Sequence, residues 1–592
     1  MSIEKKIIIA ISSIAILGFG LYKNIDSPFV YRLISKWNCK DSLLPVCNPA
    51  NAQTVDKVSG NNGVVVSTQK EASKIGLQVL KDGGNAIDAA VAVGYALAVS
   101  DPCCGNLGGG GFMLIRFANG ESTFIDFRET APLAATQDMY QDKQGNVIKG
   151  LSTEGYLAVG VPGTVKGLDY AMTEYGTMKR DRLIKPAIKL AKNGFVLQQG
   201  DVDILEAGKD KLLEPNVAEI FLTEDNKVDR PGDILVQTDL AKTLESIAKR
   251  GTEVFYRGEI AEKVVTASEA NNGILSLEDF ANYQIRETQP ISCNYRGYLV
   301  ISAPPPGGGT TVCQMLNILS GYNLKQLGWQ TTKSLHYIFS AMLLAFSDRN
   351  QYLGDPDFVE FPLDKLLSKD YAATLRTKIS DYEAIPPESV YSNVQTEGSN
   401  TTHYSVVDKQ GNAVAVTYTI NSYFGAGVIA PGTGFLLNNE MNDFTTKLGK
   451  PNQFGLRQGE ANLIEPGKRP LSSMSPTIVT QDGQVYLVTG SPGGSTIPNT
   501  VLQVIVNAID YDMDLEAAVN TPRLHYQGFP NVVVSEPNAV DAKTIRGLRL
   551  RGYTIFPFDT LGAAESILVE PETGLKTGVN DVRKPAGKAV AY

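Results

Sequence analysis

The sequence predicts an α+β protein in which antiparallel sheets are stacked and covered by helices. Three observations carry this. Short runs of alternating apolar and polar residues occur in pairs joined by tight turns, as hairpins do. Helical stretches with apolar faces lie between these pairs along the whole chain, so strands do not only alternate with helices as in β-α-β units. The composition is that of an ordinary globular protein, 43% hydrophobic and 20% charged over 592 residues, with length enough for a large core or several domains.

At the N-terminus, Lys5 and Lys6 precede a run nearly without charge, residues 7–22. It is shorter than the roughly 20 residues of a bilayer span but longer than many signal-peptide cores. No small-x-small site follows it closely, and Ala50-Asn51-Ala52 lies too far downstream for a typical signal. An uncleaved anchor with Lys5 and Lys6 inside is expected, leaving the bulk of the chain exported. A cleaved signal and a buried core helix are the alternatives. Residues 23–53 read as a stalk.

Val64-Val65-Val66-Ser67 is a short buried strand. A helix over 71–81 ends at Asp82-Gly83-Gly84-Asn85, and an Ala-rich helix over 86–98, polar only at Asp88, suits burial against a sheet. Gly108-Gly109-Gly110-Gly111 lacks the lysine and Ser/Thr of a phosphate loop and leads into a strand, 112–117, so it predicts close backbone packing. A strand over 122–126 delivers Phe127-Arg128-Glu129; by itself Arg128 reads as a surface charge. Helices follow over 165–175, 183–193 and 240–250. The turn 302–310 precedes a helix over 311–320, and another spans 336–346, ending at Ser347-Asp348-Arg349. Residues 434–437 look like a strand. Residues 447–464 have no clear period, and so long a loop in a compact domain is usually a lid or a binding loop. A hairpin turns at Gln481-Asp482-Gly483. Gly490-Ser491-Pro492-Gly493-Gly494-Ser495 then leads into a helix over 500–509.

The centre of the chain is Asn400-Thr401-Thr402-His403-Tyr404-Ser405. A polar, turn-rich segment runs directly into a hairpin whose first residues are threonines. A cut before Thr401 would leave a threonine with a free amine at a strand start, nucleophile and base at once. By pattern alone an ordinary strand threonine accounts for it better.

Net charge is -9, with no Lys/Arg-rich run, which speaks against nucleic-acid binding. His336, His403 and His525 lie far apart without metal-ligand spacing. No metal or cofactor is expected. Of the six cysteines, Cys39 and Cys47 flank a short loop and Cys293 and Cys313 could pair. Adjacent Cys103 and Cys104 are expected not to bond each other, because vicinal bridges are strained.

The run from Thr401 through Thr417-Tyr418-Thr419-Ile420-Asn421 to Gly425 closely resembles the signature of the γ-glutamyltranspeptidases, members of the N-terminal nucleophile hydrolases. The resemblance extends to Asp82–Asp88, Gly105–Met113, Asp126–Glu129, Gly160–Thr164, Ala303–Gly309, Lys468–Met474 and Gly490–Gly494, from about Val64 to the C-terminus. It implies a four-layer αββα sandwich and self-cleavage between Asn400 and Thr401. That would divide the chain into an anchor and stalk (1–52), a large subunit (53–400) and a small subunit (401–592) held together. Family members are both exported and soluble, or membrane-anchored.

The resemblance implies roles residue by residue. Thr401 attacks the γ-amide of glutathione or another γ-glutamyl compound. Water, an amino acid or a dipeptide then takes the acyl group. Thr419 is a hydrogen-bond partner of the nucleophile, and the Gly493 and Gly494 amides form the oxyanion hole. Arg128 pairs the substrate's α-carboxylate, beside Ser472 and Ser473; Asp443, Glu440 and Asn421 hold the α-ammonium. His403 is structural. One departure is Phe454 in the lid, where some bacterial members carry a tyrosine; the bulk is kept and the hydroxyl lost. The competing expectations are an acylase or poly-γ-glutamate depolymerase on the same fold, and an inactive, uncut, membrane-anchored binding protein.

Overall fold

The computed structural model describes residues 56–389 and 401–592. The expected anchor or signal, the stalk, the Cys39–Cys47 loop and Asn400 lie outside the described residues. Among the described residues no helix is long and apolar enough to cross a membrane.

The alternating runs form two seven-stranded sheets. In chain order the strands are β1 (Lys57–Gly60), β2 (Val64–Ser67), β3 (Gly110–Arg116), β4 (Ser122–Phe127), β5 (Arg286–Thr288), β6 (Ile291–Tyr295) and β7 (Tyr298–Ser302). After residue 400 come β8 (Thr402–Val407), β9 (Ala413–Thr419), β10 (Thr477–Gln481), β11 (Gln484–Thr489), β12 (Ser566–Val569), β13 (Lys576–Val579) and β14 (Lys588–Ala591). One sheet has the order β14-β2-β8-β9-β3-β4-β5, the other β1-β13-β12-β11-β10-β7-β6, and neighbours are antiparallel throughout.

Alternation decides which layer each side chain joins. In β2 and β3, Val65, Met113 and Ile115 enter a core shared with the helices on the outer face of the first sheet. Val64, Val66, Phe112 and Leu114 point the other way, into the core shared with the second sheet. The outer helices of the first sheet include α1 (Lys70–Lys81), α2 (Ala86–Ser100) and α3 (Thr164–Tyr175). On the second sheet lies α4 (Gly309–Leu319), with α5 (Thr332–Tyr352) and α6 (Ile497–Ile509) packed on it. The layers therefore run helices, sheet, sheet, helices.

Helix α2 is buried along its whole length, which explains its alanines: small side chains let it sit close on β8 and β9. Its start is fixed by a capping box. The Asn85 side chain accepts from the Asp88 amide at 2.9 Å, and Asp88 accepts from the Asn85 amide at 3.0 Å. Asp88 also takes the amides of Thr177 and Met178, so the one acid of this helix is a satisfied buried acceptor. The four-glycine run packs backbone on backbone as expected: a Cβ on Gly109 would collide with the Thr419 carbonyl, and one on Gly111 with Tyr418.

Several expectations need correction. Residues 434–437 make only isolated bridges, Leu436 to Ile429 and Leu437 to Gly108; Gly434 has φ 73° and lies against the Leu240 backbone, so the chain curls there. Ser347, Asp348 and Arg349 do not end a helix but lie within α5, which continues to Tyr352 because buried polar residues find partners there: Gln314 donates to Asp348 at 2.6 Å. Cys103 and Cys104 are bonded to each other. The two lie in a tight turn in which Cys104 and Gly105 both donate their amides to Asp101 O. Cys293 in β6 pairs with Cys313 in α4, Cα atoms 5.8 Å apart, as the spacing allowed.

Candidate active site

Strand β8 is central in its sheet, hydrogen-bonded to β2 and β9. Thr402 opposes Tyr418, and continuing that register by one residue sets Thr401 opposite Thr419. Thr402 is pinned from below, its Oγ1 donating to Asp101 Oδ2 at 2.9 Å. Thr401 is therefore the first residue past a rigid strand end, a firm base for a reacting group. It is 4% exposed.

Around it lies a pocket of about 290 Å³ lined by Thr401, Thr419, Asn421, Arg128, Glu440, Asp443, Ser472, Ser473 and Gly494. Residues spread over more than 360 positions of sequence thus meet in one place, and Gly493 adjoins it.

Each comes from a fixed element. Arg128 follows β4; its amide donates to Asp126 Oδ1 at 2.9 Å and its carbonyl accepts from Tyr283 Oη at 2.9 Å. Asp126 is held in turn by Arg286 at 2.7 Å. Glu440 and Asp443 share one turn of 3₁₀ helix. The serine pair rests on the proline-glycine turn: Ser472 donates its amide to Pro306 O at 2.8 Å and Gly308 donates to Met474 O at 2.9 Å. A side chain on Gly308 would collide with Ser473 O, which is why glycine stands there. Asn421 adopts φ 77°, tolerable for Asn. Its amide donates to Thr419 Oγ1 at 2.7 Å and its Nδ2 to Asn439 O at 3.0 Å. Gly493 (φ 131°) and Gly494 sit in the turn just before α6, where the helix dipole and upturned amides favour an anion.

Arg128 is not a surface charge but fully buried. Its Nη1 is bonded to Glu440 Oε1 and lies 3.5 Å from Glu129 Oε2; Nη2 donates to Asp443 Oδ2 at 2.5 Å, and Nε to Pro470 O at 3.3 Å. The other carboxylate oxygens, Glu129 Oε1, Glu440 Oε2 and Asp443 Oδ1, are buried without a hydrogen-bond partner among the described residues. Burial raises all three acids, against the pull of Arg128. Glu129 is pushed up to about 7, Glu440 well above the usual carboxylate range, and Asp443 upward in spite of both Arg128 and Arg349. Each of the three buried carboxylates thus has an oxygen able to accept a further hydrogen bond.

The histidines stay out of this chemistry. His403 lies between the sheets against Thr417 Oγ1 (2.8 Å) and Ser405 Oγ (3.2 Å), and burial lowers it to about 3. A Cβ on Gly490 would strike its ring, so it packs under the strand that leads to Gly493. In the 447–464 segment Phe454 and Leu456 line the pocket and pack on Phe346. Gln527 Nε2 donates to Phe454 O at 3.1 Å, and Gln527 Oε1 is 2.9 Å from His525 Nε2.

Three residues escaped sequence reasoning: Glu129, Arg349 and Gln527. The charged pair Asp348-Arg349 just after the apolar run 341–346 was the available signal for Arg349; Glu129 and Gln527 carry no signal beyond their neighbours.

Comparisons with known proteins agree. The profile of the gamma-glutamyltranspeptidase family matches residues 72–591. The glutathione hydrolase proenzyme of Pseudomonas sp. (strain A14) is 52% identical over 550 residues, covering 90% of this chain and 95% of that protein. The glutathione hydrolase proenzyme of Escherichia coli (strain K12) is 45% identical over 553 residues, covering 93% and 95%. Among solved structures, cephalosporin acylase from Bacillus halodurans superimposes with TM-score 0.81 at 28% identity, covering 93% of this chain and 99% of that one. A chain of Helicobacter pylori gamma-glutamyltranspeptidase gives TM-score 0.54 at 44% identity, covering 54% of this chain and 93% of that one.

Proposed function

The chain belongs to the γ-glutamyltranspeptidase family, and we propose that it is a γ-glutamyltransferase and glutathione hydrolase that matures by cutting itself between Asn400 and Thr401. In the precursor the Thr401 hydroxyl attacks the Asn400 carbonyl; the C–N bond breaks, which frees the Thr401 amine and leaves an ester, and water then hydrolyses the ester to the Asn400 carboxylate and the Thr401 hydroxyl. Relatives named proenzymes support this step. The products are a large subunit, 53–400, and a small subunit, 401–592.

The freed amine, with an intrinsic pKa of roughly 8, is partly neutral near neutral pH and accepts the hydroxyl proton. The Thr401 oxygen attacks the γ-amide carbon of glutathione or a related γ-glutamyl compound. The oxyanion is stabilised by the Gly493 and Gly494 amides at the head of α6; one lost donor of this kind typically costs on the order of 100- to 1,000-fold in rate. The tetrahedral intermediate collapses, the amine product leaves with the proton, and a γ-glutamyl ester remains on Thr401. Water, an amino acid or a dipeptide takes the acyl group and regenerates the hydroxyl. Thr419 Oγ1 accepts the Asn421 amide at 2.7 Å and is the hydrogen-bond partner of the nucleophile in this reading.

One observation carries the substrate class: the unpartnered oxygens of Glu440 and Asp443 together with Arg128 in the pocket of Thr401. A guanidinium offers five N–H groups. Two of Nη1 go to Glu440 and Glu129, one of Nη2 to Asp443, and Nε to Pro470 O. One N–H of Nη2 remains for the substrate α-carboxylate, with the Ser472 and Ser473 hydroxyls beside it. Arg128 thus also holds the two acids that receive the α-ammonium through Glu440 Oε2 and Asp443 Oδ1, near Asn421. This zwitterion cradle favours small γ-glutamyl donors over the bulkier amides of an acylase.

Export is the accompanying proposal: Lys5, Lys6 and the uncharged run 7–22 support an anchor or a cleaved signal. Mass spectrometry of the purified protein tests maturation and the N-terminus together. The expected result is two chains meeting at 400/401 and release of p-nitroaniline from γ-glutamyl-p-nitroanilide. A single uncut chain without release would overturn the reading.

A further inference from the structure

Arg349 lines the same pocket and stands outside the roles assigned above. We propose that it is a positioning residue for the donor's α-carboxylate, acting through Ser473; the inference rests on the γ-glutamyl reading of the site. Arg349 lies in the last turn of α5, where the helix dipole favours a cation, and is 1% exposed. Its Nη1 donates to Asn350 Oδ1 at 2.8 Å, which fixes the guanidinium plane, and its Nη2 donates to Ser473 Oγ at 3.1 Å.

A serine hydroxyl has one proton to give and lone pairs to receive. A guanidinium can only give. The Arg349 N–H takes one of the two lone pairs of the Ser473 oxygen, and since a guanidinium cannot accept, the Ser473 proton points to another partner. Ser472 is set the same way, its Oγ accepting the Met474 amide at 3.1 Å. Two adjacent hydroxyls that line the pocket are thus both turned so that the O–H can donate, the polarity a carboxylate requires. This matters because Arg128 spends most of its N–H groups on Glu440, Asp443 and Glu129, so the carboxylate depends on the serines. The second guanidinium also offsets charge. Three carboxylates face Arg128 in the site, and the Arg349 charge pulls the Asp443 acid downward against the effect of burial. The geometry selects donors with a free α-carboxylate over α-esters and decarboxylated analogues.

The test is a double-mutant cycle with Arg349→Met, Ser473→Ala and the pair, measured with γ-glutamyl-p-nitroanilide. Each single change is expected to raise KM on the order of tenfold, the loss of a charge-assisted hydrogen bond, with kcat changed less than about threefold. The double variant is expected to match the worse single variant, because Arg349 acts through Ser473. Arg349→Lys keeps the charge but not the fork and is expected to fall between wild type and Arg349→Met. It stands in for Arg349→Met in the cycle should that chain fail to yield its two fragments on a gel. Fully multiplicative effects in the cycle, or a fall in kcat with KM unchanged, would overturn the inference. A wild-type protein without donor hydrolysis would overturn the γ-glutamyl reading instead.

Discussion

Replacing Arg128 by lysine isolates what the guanidinium shape contributes. Arg128 touches Glu440 from one terminal nitrogen and Asp443 from the other, at 2.5 Å for the latter. An ammonium is a point charge that can meet one of these acids in place but not span both. All three groups are buried, at 0%, 1% and 7% exposure, so water does not replace the lost partner. A hydrogen bond to a charged group contributes about 1.5–3 kcal/mol, and about 1.4 kcal/mol is tenfold. Arg128→Lys should therefore lower kcat/KM about ten- to hundredfold, chiefly through KM, because the cradle binds the part of the donor that does not react. Self-cleavage at 400/401 should persist, since the cradle has no part in that step. Initial rates with γ-glutamyl-p-nitroanilide and a gel of the purified variant read both quantities. A KM within about twofold of wild type would refute the role of Arg128. Arg128→Leu should be worse and should also lower the melting temperature: removing one partner of a buried ion pair costs about 3–5 kcal/mol.

Thr401→Ala should give one uncut chain that releases no p-nitroaniline; two fragments on a gel would contradict its part in cleavage. Gln527→Leu removes the donor to the Phe454 carbonyl, about 0.5–1.5 kcal/mol, and should raise donor KM by about two- to tenfold while speeding proteolysis within 447–464; unchanged proteolysis would show that this contact does not hold the segment. Glu565 is buried with both carboxylate oxygens unpartnered among the described residues, and burial, then Asp581, raises it well above the usual range. Its folded value exceeds its unfolded one, so its contribution to stability is complete below about pH 4 and is lost as pH rises through the folded value. Glu565→Gln does not titrate and should lose less melting temperature than wild type as pH rises above about 5; identical losses would refute this.

Much of the fold was legible in the sequence because it is set by local periodicity. The continuous apolar runs 64–66 and 112–115 report strands buried on both faces, and the alanines of 86–98 report a helix enclosed on all sides. Boundaries drifted where tertiary partners extend an element, as when α5 runs on through Asp348 and Arg349 to Tyr352. The strand expected at 434–437 failed because Gly434 turns the chain against Leu240. The Cys103–Cys104 bond went unforeseen because it depends on the turn at Asp101, not on spacing.

The site divides the same way. Thr401 at the head of a strand, the glycines that let backbones touch, and the motifs shared with a family are properties of the sequence itself. Each is local, fixed by a few neighbouring residues. What the chain could not state alone is that Arg128 is buried and clasped by Glu440 and Asp443, that Glu129 is held near pH 7, or that Arg349 reaches Ser473 across 124 residues. Those facts arise only when the folded layers bring distant segments together and exclude water, because burial and pairing set a charge's behaviour and neither is a local property.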